Sequence, residues 1–468
     1  MKESRNKYLM KNTIIFTIGN MGSKLITFFL IPLYTGVMTT SEYGISDLIN
    51  TICIIVVPII TLNISESVMR FALDKDADKE KISSIGTFIL IIASIVALIT
   101  IPLSGMFDQV SNYGVYIYFY IISYAACQLY LSDLRGKELL VQYSFGNILL
   151  TLCTALFNIL FLLVLKQGIN GYLKAYILAN FITALYALIL GKGYRVFRFK
   201  NRFDLSKMKD MIKFSIVLIP NSFMWWIMNA SDRIMVTSMI GVDANGIYAI
   251  SYKLPTLVST ITAIFNQAWC YSAIREEGSS DETEYNNKVL KNFIVFVMSI
   301  AIGLLVIMKP FLKIYVSSNY YEGWKYTPFL IIGYVYLTLA TFMSTSYNVH
   351  KDSMGYLLSA TFGAVFNIVL NFILIPFMGI YGSAIATAIS YIMVFIFRLF
   401  HTRKYIKYEI FNKEFICGTI FLLMESALMF IGNVWGQICQ IIICFVLVYL
   451  YRNTLLTILQ PIVKKVRK

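Results

Sequence analysis

Runs of about twenty uninterrupted apolar residues recur along this chain and constrain its fold more than any other feature. Phe88 to Leu103, FILIIASIVALITIPL, is one of them. A run of that length crosses the hydrocarbon core of a bilayer as an α-helix, whereas the strands of a membrane barrel alternate apolar and polar positions over about ten residues. Hydrophobic residues make up 58% of the 468 positions and charged residues only 14%, a balance that a soluble core seldom reaches. The expectation is an all-α membrane protein with about fourteen transmembrane helices. They are predicted near 12–38, 45–69, 83–106, 114–134, 141–165, 171–191, 214–240, 246–272, 289–309, 325–348, 355–376, 380–400, 415–432 and 437–453. The first run, Ile14 to Met38, is too long for a signal-peptide core, contains Lys24 and lacks a small-x-small cleavage site, so it is expected to remain as the first helix.

Orientation follows from where Lys and Arg accumulate. With a cytoplasmic N-terminus, thirty-two of the forty basic residues fall on the inside. Lys166, Lys174, Lys309, Lys313 and Lys325 fall outside, and Lys24, Arg233 and Lys253 lie within spans. Both termini are therefore expected in the cytoplasm. The net charge of +15 is accounted for by loops facing anionic lipid, at about 1 kcal/mol per basic residue, and calls for no nucleic acid.

The chain also repeats itself. Phe157-Asn158-Ile159 precedes GINGYLKAYILAN (Gly168 to Asn180), and Phe366-Asn367-Ile368 precedes GIYGSAIATAISY (Gly379 to Tyr391). SEYGIS (Ser41 to Ser46) likewise matches DANGIY (Asp243 to Tyr248). Six helices separate the copies, so the repeat is parallel, and two pseudo-symmetric six-helix lobes with a central cavity are implied. The expected organisation is an N-terminal lobe over 1–191, a basic cytoplasmic linker over 192–213, a C-terminal lobe over 214–400, and helices 13 and 14 with a basic tail over 401–468.

Charge inside the apolar runs is the strongest pointer to function. An ionised group at the centre of a membrane helix costs about 2.5–3.5 kcal/mol even on the lenient insertion scale, so such groups face a protein interior or water. Asp232-Arg233 lies deep in the seventh predicted helix and Lys253 inside the eighth. By helix rise, Arg233 and Lys253 sit at a shared depth, about 10 Å below the outer surface. Lys24 is near mid-membrane and Arg70 ends the second helix. Seven cysteines without paired spacing read as small core residues. His350 and His401 have no partner ligand in sequence, so no metal site is expected. Pro32, Pro220 and Pro255 are expected to bend the first, seventh and eighth helices. Tyr116, Tyr118, Tyr120, Trp225, Trp226, Tyr320, Tyr321 and Trp324 read mainly as an interfacial aromatic belt.

On Asn20, Ser23, Lys24, Pro32 and Tyr43-Gly44 in the first hairpin, and on Asp232-Arg233, Gly241, Gly246-Ile247-Tyr248 and Tyr252-Lys253, the chain resembles the Wzx-type polysaccharide flippases of the multidrug/oligosaccharidyl-lipid/polysaccharide exporter superfamily. Helix number, basic central linker and lobe repeat fit as well. The resemblance implies movement of an undecaprenyl-pyrophosphate-linked oligosaccharide, such as an O-antigen unit of lipopolysaccharide biosynthesis, across a bacterial inner membrane. A polysaccharide polymerase and a chain-length regulator are the implied partners. No cofactor is expected beyond coupling to an H+ or Na+ gradient.

A pyrophosphate needs positive charge to enter a low-dielectric region, and Arg grips phosphate oxygens in bidentate fashion. Lys24, Arg233, Lys253 and Arg70 are thus the candidate headgroup contacts. The structural alternative is that Asp232 neutralises a neighbouring cation and Lys253 extends toward water. Glu66, four residues before Arg70, is expected to pair with it. Asp47 and Glu425 are the other candidates for ion coupling. A membrane polysaccharide polymerase is disfavoured because the longest outer connection, Pro310 to Trp324, leaves little room for a catalytic site. No phosphate loop occurs in the chain, so ATP is not a direct fuel. A multidrug exporter of the same superfamily is the nearest alternative.

Overall fold

The computed structural model describes residues 28–74, 77–193, 204–350, 352–432 and 434–466, and every regular element among them is helical. In chain order the helices are α1 (Phe28–Val37), α2 (Thr40–Ile60), α3 (Ile64–Ala72), α4 (Lys79–Ala97), α5 (Thr100–Ser104), α6 (Gly114–Gly136), α7 (Leu140–Asn158), α8 (Gly168–Leu190), α9 (Leu205–Met239), α10 (Val242–Ser251), α11 (Pro255–Glu276), α12 (Glu282–Tyr315), α13 (Thr327–Val349), α14 (Ser353–Met378), α15 (Ile380–His401), α16 (Lys413–Leu428) and α17 (Val434–Val466). Ten helical passages among the described residues are long and apolar enough to cross a membrane, and the chain is a multi-pass membrane protein.

Thirteen of the fourteen expected helices correspond to a described helix or to a pair broken where the sequence pattern ran on, and of the first, expected over 12–38, the part before residue 28 lies outside the described residues. The second expected helix breaks at Thr61 to Asn63, where Leu62 and Asn63 adopt positive φ, and restarts as α3. The third stops at Ala97 and resumes as the short α5. The eighth divides at Tyr252 to Leu254, and Pro255 opens α11 instead of bending a continuous helix. Proline disfavours helical backbone at the residue before it and suits the first helical position, which accounts for both the stop and the restart. Pro220, by contrast, lies inside an unbroken α9. Helix α12 runs on to Tyr315, so Lys309 and Lys313 stand on the helix and the connection expected from Pro310 shrinks to one short 3-10 segment, Ser318–Lys325.

The chain forms two compact units, Met1–Trp226 and Ile227–Lys468. In the first, α8 packs on α6 and α7, and α6 also takes α3 and α4. Ser83 Oγ donates to Asp133 Oδ1, and Lys137 Nζ donates to Asp133 Oδ2 at 2.6 Å and to the Gly191 carbonyl at 2.7 Å. Asp133 is 3% exposed, so this staple ties α4, α6 and the end of α8 through a charge that is compensated at once. In the second unit α13 is the central helix, with 89% of its span buried, and it packs on α11 and α15. A Cβ on Gly333 would lie 2.9 Å from the Ala388 Cα. Small residues let helix backbones approach where lipid offers no hydrophobic drive for association.

Two residues assigned to the aromatic belt belong to the interior. Tyr120 is buried and its hydroxyl donates to Asn50 Oδ1 at 2.7 Å, and Tyr320 is fully buried. Both lie near helix ends, so sequence position alone groups them with lipid-facing aromatics.

Asp352 caps α14 in the connection from α13. Its Oδ1 accepts from the Gly355 N–H at 2.8 Å, and its Oδ2 receives Lys404 Nζ and the Tyr405 hydroxyl, each at 2.9 Å. The Lys404 bond, with help from the Gly355 N–H and the Tyr405 hydroxyl, lowers the Asp352 carboxyl to about 2. A carboxyl with a depressed folded value stabilises the fold above its unfolded value, about 3.9, and that contribution is lost as pH falls toward 2. Thermal unfolding of purified Asp352→Asn should therefore differ from the parent at neutral pH, and the gap should close between pH 4 and pH 2.

Candidate functional site

The charge that the sequence places in the seventh span is the centre of a polar network inside the second unit. Asp232 lies on α9, two turns before that helix ends, and its side chain is fully buried. Its Oδ2 receives the Tyr248 hydroxyl at 2.9 Å, the Tyr252 hydroxyl, and Thr387 Oγ1 at 3.2 Å, while Oδ1 accepts the Arg233 N–H at 2.9 Å. Tyr248 and Tyr252 are brought together by α10 and the turn after it, four residues apart and on one face. Their rings meet edge to face at 5.0 Å. Thr387 comes from α15, which also supplies Ser383, whose Oγ donates to the Tyr248 hydroxyl at 3.1 Å.

The network continues through α14. Asn367 Nδ2 lies 3.4 Å from Thr387 Oγ1, and Asn367 Oδ1 accepts Ser231 Oγ at 2.9 Å and Asn371 Nδ2 at 3.0 Å. One carboxylate thus organises side chains from α9, α10, α14 and α15. Hydroxyls both donate and accept, so a change in the charge of Asp232 would require the groups around Oδ2 to reorient together.

Arg233, the next residue, is half-buried and places its guanidinium carbon 5.3 Å from the centre of the Tyr252 ring. Tyr334 and Tyr391 extend this aromatic wall, with Tyr252 to Tyr334 at 6.1 Å and Tyr334 to Tyr391 at 5.6 Å. Lys253 is half-buried in the turn between α10 and α11, not in a helix as expected. Lys24, with Asn20 and Ser23, lies outside the described residues.

The other predicted residues are dispersed. Arg70 pairs with Asp74 at 2.8 Å, one turn after it in the chain, and not with the expected Glu66, one turn before it. Both partners are about half exposed, and Glu66 sits in the first turn of α3, where a negative charge suits the helix dipole. Asp47 is buried in α2 of the first unit, and Glu425 is fully buried in α16.

The repeat relates this site to its counterpart in the first unit. Counting from the paired glycines Gly44 and Gly246, Tyr248 and Tyr252 correspond to Ser46 and Asn50. From Gly168 and Gly379, Ser383 and Thr387 correspond to Tyr172 and Tyr176. Each lobe therefore pairs two tyrosines with two small polar residues, with the contributing helices exchanged. In the first unit the Tyr172 and Tyr176 rings meet at a tilt, 4.7 Å apart, and Tyr176 faces Tyr120, which bonds Asn50. Asp232 stands seven residues before the end of α9, and seven before the end of α1 is Leu30. The carboxylate belongs to the second lobe alone at this position.

Arg398 was missed by sequence reasoning, which counted it with the basic cytoplasmic flank of the twelfth helix. It is fully buried in α15, with Nε donating to Ser359 Oγ at 3.0 Å and Nη1 to the Ala340 carbonyl at 3.0 Å, its guanidinium 5.2 Å from the Tyr356 ring. Its position one turn before His401 gives no sequence signal that separates it from the exposed Arg403 and Lys404.

Comparison with known proteins agrees with this architecture. An uncharacterized membrane protein of Methanocaldococcus jannaschii is 24% identical over 84% of this chain and 97% of its own length. The lipid II flippase MurJ in an inward closed conformation superposes with a TM-score of 0.67 at 15% identity, over 96% of this chain and all of that one. A multidrug resistance MATE family transporter of the MOP superfamily, in an inward-facing conformation, gives 0.64 at 12% identity over 88% and 95% of the two chains. At these identities the superpositions establish a shared fold. The sequence match to polysaccharide biosynthesis proteins spans residues 9–271, more than half of the chain and including α9 with Asp232, α10 and most of α11, and by it the chain belongs to that family.

Proposed function

We propose that this protein is a flippase that carries an undecaprenyl-pyrophosphate-linked oligosaccharide repeat unit, of the O-antigen or a related surface polysaccharide, across the bacterial cytoplasmic membrane by alternating access. The observation that carries this reading is the pairing of Arg233, half-buried over Tyr252, with the fully buried Asp232 in one network. A fixed guanidinium at membrane depth suits a pyrophosphate, whereas a cationic drug would be repelled by it. Lys24 and Lys253 are the further headgroup contacts in this proposal, and Arg70, largely committed to Asp74, is a minor one.

Asp232 is the proposed coupling group, exchanging a proton or a sodium ion. Charging or neutralising Oδ2 rearranges the hydroxyls of Tyr248, Tyr252 and Thr387 together, which would repack α10 against α15. The basic residue bias supports cytoplasmic termini, and a polymerase and chain-length regulator would take over the unit on the outer leaflet.

Purified protein in liposomes loaded with a fluorescent undecaprenyl-pyrophosphate oligosaccharide tests the substrate directly. Protein-dependent loss of the outer-leaflet label to a membrane-impermeant quencher is the expected result. Equal rates with and without protein, in vesicles where the protein is folded and oriented, would refute the assignment. Transport of an amphipathic cation in place of the lipid would favour the multidrug reading.

A further inference from the structure

Glu425 is unlike the other intramembrane acids. It lies in α16, one of the two helices that follow the repeat, and it is fully buried with neither carboxylate oxygen hydrogen-bonded. Helices α12 and α17 pack on α16, with α13 also beside it. Beside α12, Lys291 pairs with Glu414 at the start of α16, and Gly418 faces Met298. Beyond the end of α16, Lys309 Nζ donates to the Met429 carbonyl and rests 3.9 Å over the Trp324 ring. The α12 surface between these ties includes Ile302 and Leu305, both buried and apolar.

Helix α17 offers no countercharge either. Gln440 donates its amide to the Glu425 backbone carbonyl at 3.3 Å, Cys444 lies nearby, and the Tyr451 hydroxyl is held by the Glu414 carbonyl at 2.5 Å. From α13 the facing polar group is Tyr336, 3.3 Å from Thr419. Of the α12 lysines, Lys291 and Lys309 thus serve other acceptors and Lys288 and Lys313 are exposed, and no described cation pairs with Glu425.

A bare carboxylate in such surroundings is far more costly than its neutral acid, and the group resolves the conflict by taking a proton. We propose that Glu425 is a proton-binding site, occupied at neutral pH and separate from the Asp232 network, which gives up its proton only when α16 or α17 moves off α12. In this state the hairpin of α16 and α17 packs on α12 as a neutral surface, and loss of the proton would leave an uncompensated charge between the three helices.

Infrared spectroscopy of the full-length protein in lipid nanodiscs reads the site without reference to transport. An ordinary glutamate, with a pKa of about 4.3, is almost wholly ionised at pH 7. The parent protein should nevertheless show a carboxylic-acid C=O absorption at pH 7, and one equivalent of it should vanish in Glu425→Gln while persisting in Asp232→Asn. If Glu425→Gln fails to fold, Glu425→Asp, which keeps the acid on a shorter side chain, should shift the same band. Superimposable spectra of the parent and the folded Glu425 variants in this region would overturn the proposal.

Discussion

Replacing Arg233 with alanine should abolish surface display of the transported glycan in a deletion strain, whereas Arg233→Lys should retain part of it. Lysine keeps the positive charge but loses the planar fork that grips two phosphate oxygens at once. It also loses much of the stacking on Tyr252, where the guanidinium carbon sits 5.3 Å from the ring centre. The opposing view treats Arg233 as a counter-ion for Asp232. In that case removing both charges together, as Asp232→Asn with Arg233→Gln, restores display. Comparison at matched membrane abundance separates the two: recovery by the neutral double variant counts against headgroup binding, and a persistent defect supports it.

Asp232 should show the second large effect, and there the two obvious substitutions diverge. Alanine removes the acceptor shared by Tyr248, Tyr252 and Thr387. Buried hydroxyls left without a partner cost about 1–3 kcal/mol each, so Asp232→Ala should unfold at clearly lower temperature in detergent. Asparagine keeps one oxygen as acceptor in the same space, and Asp232→Asn should fold with a smaller loss. It cannot exchange a proton, however, so transport driven by an ion gradient should be lost in both variants. A folded Asp232→Asn protein that transports at the parental rate and still responds to the gradient would remove Asp232 from the coupling role and leave it a structural tie between α9, α10 and α15.

Several features followed from the sequence because each is set by local chemistry. Continuous apolar runs admit only helices in a bilayer, because every backbone group must be satisfied within its own segment. That reasoning fixes the all-helical membrane class without any tertiary information. The recurrence of G-I-x-G and of the SEYGIS and DANGIY turns revealed the two lobes, since each marks the same turn in the same place of a repeated unit. Asp232 stood out because a carboxylate is expensive wherever it falls in such a run.

Tertiary packing decided the rest. Nothing in the sequence states that Tyr248 on α10, Tyr252 in the turn after it and Thr387 on α15, 135 positions beyond Tyr252, converge on one carboxylate oxygen. Hydropathy cannot distinguish Arg398, fully buried against Ser359 and Ala340, from basic neighbours a turn away that face water. Arg70 chose Asp74 over Glu66, both one helical turn away, and spacing alone is symmetric between them. Tyr120 and Tyr320 read as interfacial but are core residues, because burial depends on which helix lies opposite. Periodicity and composition act within a segment and so survive in the one-dimensional record, whereas partner choice and burial are properties of pairs distant in the chain, which exist only once the helices have packed.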